Sequence, residues 1–218
     1  SASATGDPIG EAVDGGANAL NATNTTTGRP TMSGTVPTPL AGTGRRSASF
    51  NGSANFLDAG TSSSLKFSGA FSVSVWFQLS AYSGSTVYTI LEKGFNGVGL
   101  NYALSIDNGV LWFISYGGVA VYGAKSPKTW SAADIGVWHH AVGTYDGGTG
   151  YKFYLDGFDV TVGQGTPTTP YQSDARFCIG CEAAGGSNGR FFPGLIDDPR
   201  IYNKKLTATE VAAIYAGG

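Results

Sequence analysis

The stretch "FSVSVWFQLS", residues 71–80, constrains this chain more than any other. Phe71, Val73, Val75 and Phe77 alternate with Ser72, Ser74, Trp76 and Gln78. A period of two places each set on its own face of a strand and cannot form one stripe on a helix. The same kind of segment recurs, each copy bounded by turn residues. "YALSIDNGVLWFISYGG" reads as a hairpin turning at Asn108–Gly109, a dipeptide that accepts the positive φ angles of a tight turn. "SASFNGSANFLDAG" reads as two short strands around Asn51–Gly52. "VWHHAVGTYDGGTGYKFYLDGFDVTV" supplies three strands with turns at Asp146–Gly147–Gly148 and Asp156–Gly157, and "RFCIGC" and "RFFPGLIDDPRIYN" supply the last. The expected fold is all-β, an antiparallel two-sheet sandwich, because nothing in the order suggests alternating β-α units.

One segment reads as a helix, "TATEVAAIYAGG". Thr207 and Glu210 form a capping box, Gly217 closes the C-terminus, and Val211, Ile214 and Tyr215 share one face. Composition agrees with a sandwich: 34 glycines, 12% aromatic and only 13% charged residues suit short strands and tight turns rather than a helical bundle. Residues 1–46 are polar and rich in Pro, Gly, Thr and Asn. They are expected to form an N-terminal arm that packs on the sandwich or on a partner, with residues 47–218 as the folded domain.

Net charge is −2 and no Lys/Arg run exceeds a pair, which argues against nucleic-acid partners. No stretch reaches the roughly 18 apolar residues of a membrane-spanning helix, so membrane insertion is not expected. The Asn21, Asn24 and Asn51 triplets match the N-glycosylation pattern, which matters only in a eukaryotic secretory pathway.

The order "FSVSVWFQLS", "ILEKG", "YALSIDNGVLWF", "GVWHHAVGTYDGGTGYKFYLDG", "FCIG" and "GLIDDPRIYNKKLTATEVAAIY" resembles the laminin-G-like jelly roll of the concanavalin A-like lectin and glucanase superfamily. The resemblance covers residues 47–216 and implies two stacked sheets of six or seven strands each. It also implies a non-catalytic recognition module on an extracellular or particle surface, binding a glycan or a protein surface. A structural or decoration protein of a virion or other assembly, self-associating or docked on a capsid partner, is the second class. A polysaccharide hydrolase or lyase is the third and least favoured. Glycoside hydrolysis needs two carboxylates about 5–9 Å apart, and none of Glu11, Glu92, Glu182 and Glu210 has an acidic residue two or four positions away.

Glycan stacking needs exposed rings and amides. The loop candidates are Tyr82, Phe95, Asn96, Tyr116, Tyr122, Trp130, Tyr171 and Asn188, while Trp76, Trp112 and Trp138 are assigned to the structure. The resemblance further implies a structural calcium near the closing strands, with Asp197, Asp198, Asp58 and Asp14 as donors. The competing reading pairs one of the two adjacent aspartates with Arg200 and uses the other to cap a turn. His139 and His140 are adjacent on a strand and face opposite ways, one toward the core and one outward, so a catalytic pair is not expected.

Cys178 and Cys181 are the only cysteines. On one continuous strand they face opposite sides, which favours two unpaired thiols. A disulfide becomes available if the strand ends before Cys181, and a zinc site lacks further soft ligands.

Overall fold

The computed structural model describes residues 11–12, 22–23, 29–95, 99–116, 121–148, 150–164, 169–182 and 189–217. Its strands are β1 (Glu11–Ala12), β2 (Ala22–Thr23), β3 (Thr31–Ser33), β4 (Ser47–Asn51), β5 (Leu57–Asp58), β6 (Phe71–Leu79), β7 (Val87–Phe95) and β8 (Gly99–Asp107). They continue with β9 (Val110–Tyr116), β10 (Val121–Thr129), β11 (Trp138–Tyr145), β12 (Tyr151–Leu155), β13 (Phe158–Asp159), β14 (Val162–Gln164), β15 (Phe177–Ile179) and β16 (Pro193–Tyr202), followed by helix α1 (Ala208–Tyr215). Two antiparallel sheets stack: a nine-stranded sheet in the order β1-β2-β5-β15-β7-β8-β9-β10-β14, and a seven-stranded sheet in the order β13-β12-β11-β6-β16-β4-β3. The larger sheet exceeds the expected size through the two-residue strands β1 and β2 at its edge. These and β3, which pairs with β4, show how the described parts of residues 1–46 join both sheets.

The alternation in β6 sorts its residues as expected. Phe71, Val73, Val75, Phe77 and Leu79 are fully buried between the sheets. Phe71 is the hub, its ring 5.3 Å from Tyr102 and 5.8 Å from both Phe113 and Tyr145. Ser72, Ser74 and Trp76, on the other face, are buried too. They lie under α1 and the segment that leads to it: the Ser72 hydroxyl donates to the Lys204 carbonyl and accepts from the Leu206 amide, both at 2.9 Å. A helix of two turns is unstable alone. Here the Thr207–Glu210 capping box holds its start, and Val211 and Ile214 pack with Val142, Tyr154 and Leu206. Tyr215 stacks on Trp76 with ring centroids 5.4 Å apart.

The Asn51–Gly52 stretch is not a hairpin. β4 belongs to the seven-stranded sheet and β5 to the nine-stranded one, so the segment crosses between layers. The Asn51 side chain holds the crossing, its Oδ1 accepting from the amides of Ser53, Ala54 and Asn55. A tight two-residue turn would have paired the flanking strands, and their long-range partners β16 and β15 win instead.

The cysteines form a disulfide, which corrects the expectation of two free thiols. β15 stops at Ile179, and Gly180 turns the chain at φ 82°, a left-handed conformation that glycine adopts without a Cβ clash. Cys181 is thereby returned toward Cys178, Cα to Cα 5.9 Å. Both are fully buried beside Phe56 and Phe191, apart from the main core. The loop closed is short, so the double substitution Cys178→Ala with Cys181→Ala should cost about 2 kcal/mol. Urea unfolding would read this as a lower midpoint at unchanged slope; an unchanged midpoint would show that the bridge adds no stability.

Candidate functional site

The hairpin β8–β9 sets up an uneven surface on the outer face of the nine-stranded sheet. In β9, Leu111 and Phe113 are fully buried between the sheets. Strand alternation therefore turns Val110, Trp112, Ile114 and Tyr116 outward, and all four are partly exposed. Across the sheet, Ser105, Trp112, Lys125 and Val162 are successive register partners and share that face. In the next row Ile114 lies between Ala103 and Gly123, two small residues that leave it standing proud. Lys125 Nζ sits 4.8 Å from the Trp112 ring centroid, and Val162 at the sheet edge is 38% exposed. The result is an apolar ridge with one aromatic face, one ammonium and the Ser105 hydroxyl in the same row.

Tyr171 extends the ridge at its Tyr116 end. Its amide donates to the Tyr116 carbonyl at 2.9 Å, and its carbonyl accepts from Asn101 Nδ2 at 2.8 Å. The Tyr171 ring lies against Gly99 and is 46% exposed. Of the sequence candidates the structure thus brings together Tyr116 and Tyr171. Trp130 is 1% exposed within the core and presents no free ring face. Tyr82 and Tyr122 are half-buried against the same core. Phe95 ends β7, and its side chain, with Asn96 and Asn188, lies outside the described residues. Trp112, assigned to the structure from sequence, belongs to the ridge instead. The signal is present in "VLWFISY", since Leu111 and Phe113 inward force Trp112 outward.

The acidic residues do not assemble as one group. Asp58 lies in the nine-stranded sheet, where its Oδ1 accepts from the Gly60 amide and its Oδ2 is 3.5 Å from Arg176 Nη1. Asp197 lies in the other sheet, facing outward beside Trp76, with Arg45 Nη2 at 3.8 Å. Burial pushes its carboxyl up to about 6, against the pull of Arg45. Asp197 Oδ2 is buried without a hydrogen-bond partner, the kind of oxygen a cation seeks. Its neighbours do not complete a donor set: Asp198 pairs with Arg200 Nε at 2.9 Å, and Asp14 lies outside the described residues. Among the described residues no three His, Cys, Asp or Glu side chains converge as metal ligands. Asp58, Asp197 and Asp198 therefore do not fit a single calcium site.

Catalytic carboxylates are no better placed. Asp58 and Glu92 share a row of the nine-stranded sheet, but Cys178 stands between them, tied to Cys181. Glu92 is 2% exposed, which leaves no open cleft between the two. The histidines divide as expected, and both are buried. His139 Nδ1 is 2.8 Å from Asp156 Oδ2 and its ring meets Trp130 edge-on at 4.7 Å. His140 faces outward beneath α1, with Nε2 2.8 Å from Ser74 Oγ. Burial pushes the His140 imidazole down to about 4, with Asp156 opposing and Arg200 adding to the shift.

Comparison with solved structures finds the same architecture in binding domains. The binding domain of Paraclostridial Mosquitocidal Protein 1 superposes with a TM-score of 0.72 at 15% identity, over 97% of this chain and 50% of that one. The chain thus spans half the length of that domain. Domain 4 of AbnA, an extracellular arabinanase from Geobacillus stearothermophilus solved with arabinotriose, gives a TM-score of 0.62 at 22% identity, over 86% of this chain and 82% of that one. A SAP-like pentraxin from Limulus polyphemus gives 0.53 at 15% identity, over 69% and 73% of the two chains. At these identities the likeness establishes the fold alone. No curated protein matches the chain in sequence. A laminin G family model does match, over residues 50–212, from β4 into α1, and the chain belongs to the concanavalin A-like lectin/glucanases superfamily.

Proposed function

We propose that this chain is a non-catalytic recognition module that binds a glycan on the outer face of its nine-stranded sheet. One observation carries the reading: Trp112, on the outer face of β9, is partly exposed beside Ile114 and Tyr116. A sugar ring presents apolar C–H groups on one face and hydroxyls on its rim. It can stack on an indole while Lys125, the register neighbour of Trp112, meets its polar edge. Support also comes from the arabinotriose bound to domain 4 of AbnA. The buried disulfide fits an oxidising environment and so an extracellular or surface location.

A glycan array followed by calorimetry on the best ligand tests this. Trp112→Ala should weaken binding by about 2 kcal/mol, roughly thirtyfold. Its melting temperature should stay close to that of the parent, because the ring is not part of the core. Binding at parental strength in the alanine variant would place the site elsewhere on the molecule.

A further inference from the structure

We propose that the Trp112 ridge selects glycans that carry an anionic group, a uronate carboxylate or a sulfate, with Lys125 as its partner; this deepens the glycan reading and rests on it. The charge pattern of the chain isolates Lys125. Lys66, Lys128, Lys152, Lys204 and Lys205 each lie within ion-pair distance of an aspartate or glutamate. Lys93 is buried and donates to the Ala175 carbonyl. Among the described residues, Lys125 is the lysine whose ammonium meets an aromatic face instead of a carboxylate or a carbonyl. The net charge of −2 gives no general attraction for anions, so a preference would have to come from a local cation such as this one.

The geometry suits a charged sugar. Lys125 is the direct register partner of Trp112, and Ser105 is its partner on the other side. The row therefore presents indole and ammonium from neighbouring strands, about 5 Å apart, with Ser105 buried on the next strand. The ammonium lies over the indole, a contact that holds it at the stacking surface without satisfying its three donors. An anion on the stacked sugar, or on the next one along, would accept a charge-assisted hydrogen bond there, stronger than any a neutral hydroxyl makes. Val162 closes the row beyond Lys125 and adds no competing carboxylate.

The experiment uses the full chain and an array printed with neutral glycans alongside their uronate and sulfate counterparts. Calorimetry then follows on the best matched pair with parent, Lys125→Gln and Trp112→Ala proteins. The parent should prefer the anionic member by roughly tenfold, and the preference should shrink as salt is raised from about 0.05 to about 0.5 M. Lys125→Gln should abolish the preference, so that the anionic and neutral members of the pair bind it equally. The uronate and sulfate arms identify which anion is taken. Equal binding of neutral and anionic partners by the parent, still lost on Trp112→Ala, would overturn the anion preference while the glycan reading stands. A preference that survives Lys125→Gln would remove Lys125 from the role. No Trp112-dependent binding to any glycan would overturn both readings.

Discussion

Replacing Gly143 by valine should prevent the chain from folding, and replacing it by alanine should cost about 3 kcal/mol. Gly143 lies in β11, in the middle of the seven-stranded sheet, with its missing side chain directed at the other sheet. Phe113, from β9 of the facing sheet, fills the space. A Cβ built on Gly143 would stand 2.1 Å from Phe113 Cγ and 2.4 Å from both Cδ atoms. The ring cannot step aside, because Phe71 and Tyr151 pack against it, each with centroids 5.8 Å away. Interiors packed to crystal-like density absorb such overlap only by moving backbone. A double-mutant cycle gives a sharper test than the single variant. Phe113→Leu alone should destabilise by about 1–2 kcal/mol, but in the Gly143→Ala background it should recover part of the loss. Additive costs in urea unfolding would mean that the glycine is needed for some reason other than the ring.

That pairing of a glycine with a ring across two sheets shows where sequence reasoning stops. What depends on neighbours in the chain is legible. The β6 alternation, the Asn108–Gly109 hairpin and the Thr207–Glu210 capping box all appear as read, because each is decided within a few residues. The family likeness rests on such local pieces in a fixed order. What depends on distant partners is not legible. Asn51–Gly52 carries a hairpin signal, yet β4 and β5 are claimed by different sheets. The cysteines diverge only on a strand that runs on, whereas this one ends before Gly180. Aromatic residues near turns read as exposed, but the loop that carries Trp130 folds onto the end of the sandwich and buries its ring against Phe77 and His139. Trp112 goes the other way: its residue type suggests the interior, although its strand parity points outward. In the candidate site, then, parity is a better guide than residue type.

The variant Asp197→Asn should be more stable than the parent at pH 7, by about 2 kcal/mol, and no more stable at pH 4. The carboxyl is 7% exposed and burial pushes it up to about 6, against about 3.9 in an unfolded chain. A raised carboxyl is easier to bury protonated than charged. Its burden is absent below the unfolded value, where both states are protonated, and complete above the folded one. The distance between those two values corresponds to about 3 kcal/mol. The amide should recover most of this, since it keeps the acceptor for the Asp198 amide at 2.9 Å but leaves N–H groups unpaired in place of Oδ2. His140 carries the opposite burden on the same face. It is fully buried and held neutral, pushed down to about 4 from the usual 6.5, so its contribution to stability is present above pH 6.5 and is lost as pH falls toward 4. Between pH 6.5 and 4 the two residues work against each other, and the parent feels only their difference. Asp197→Asn exposes the histidine's loss and should fall more steeply on acidification. His140→Gln starts lower at pH 7, through the lost ring contacts with Trp76 and Tyr215, and should gain relative to the parent as pH drops. Urea unfolding at several pH values from about 4 to about 8 reads all three curves. Parallel curves for parent and Asp197→Asn would refute the burden assigned to Asp197. If Asp197→Asn instead lost stability at pH 7, and only when calcium was present, Asp197 would be a cation ligand completed by groups outside the described residues.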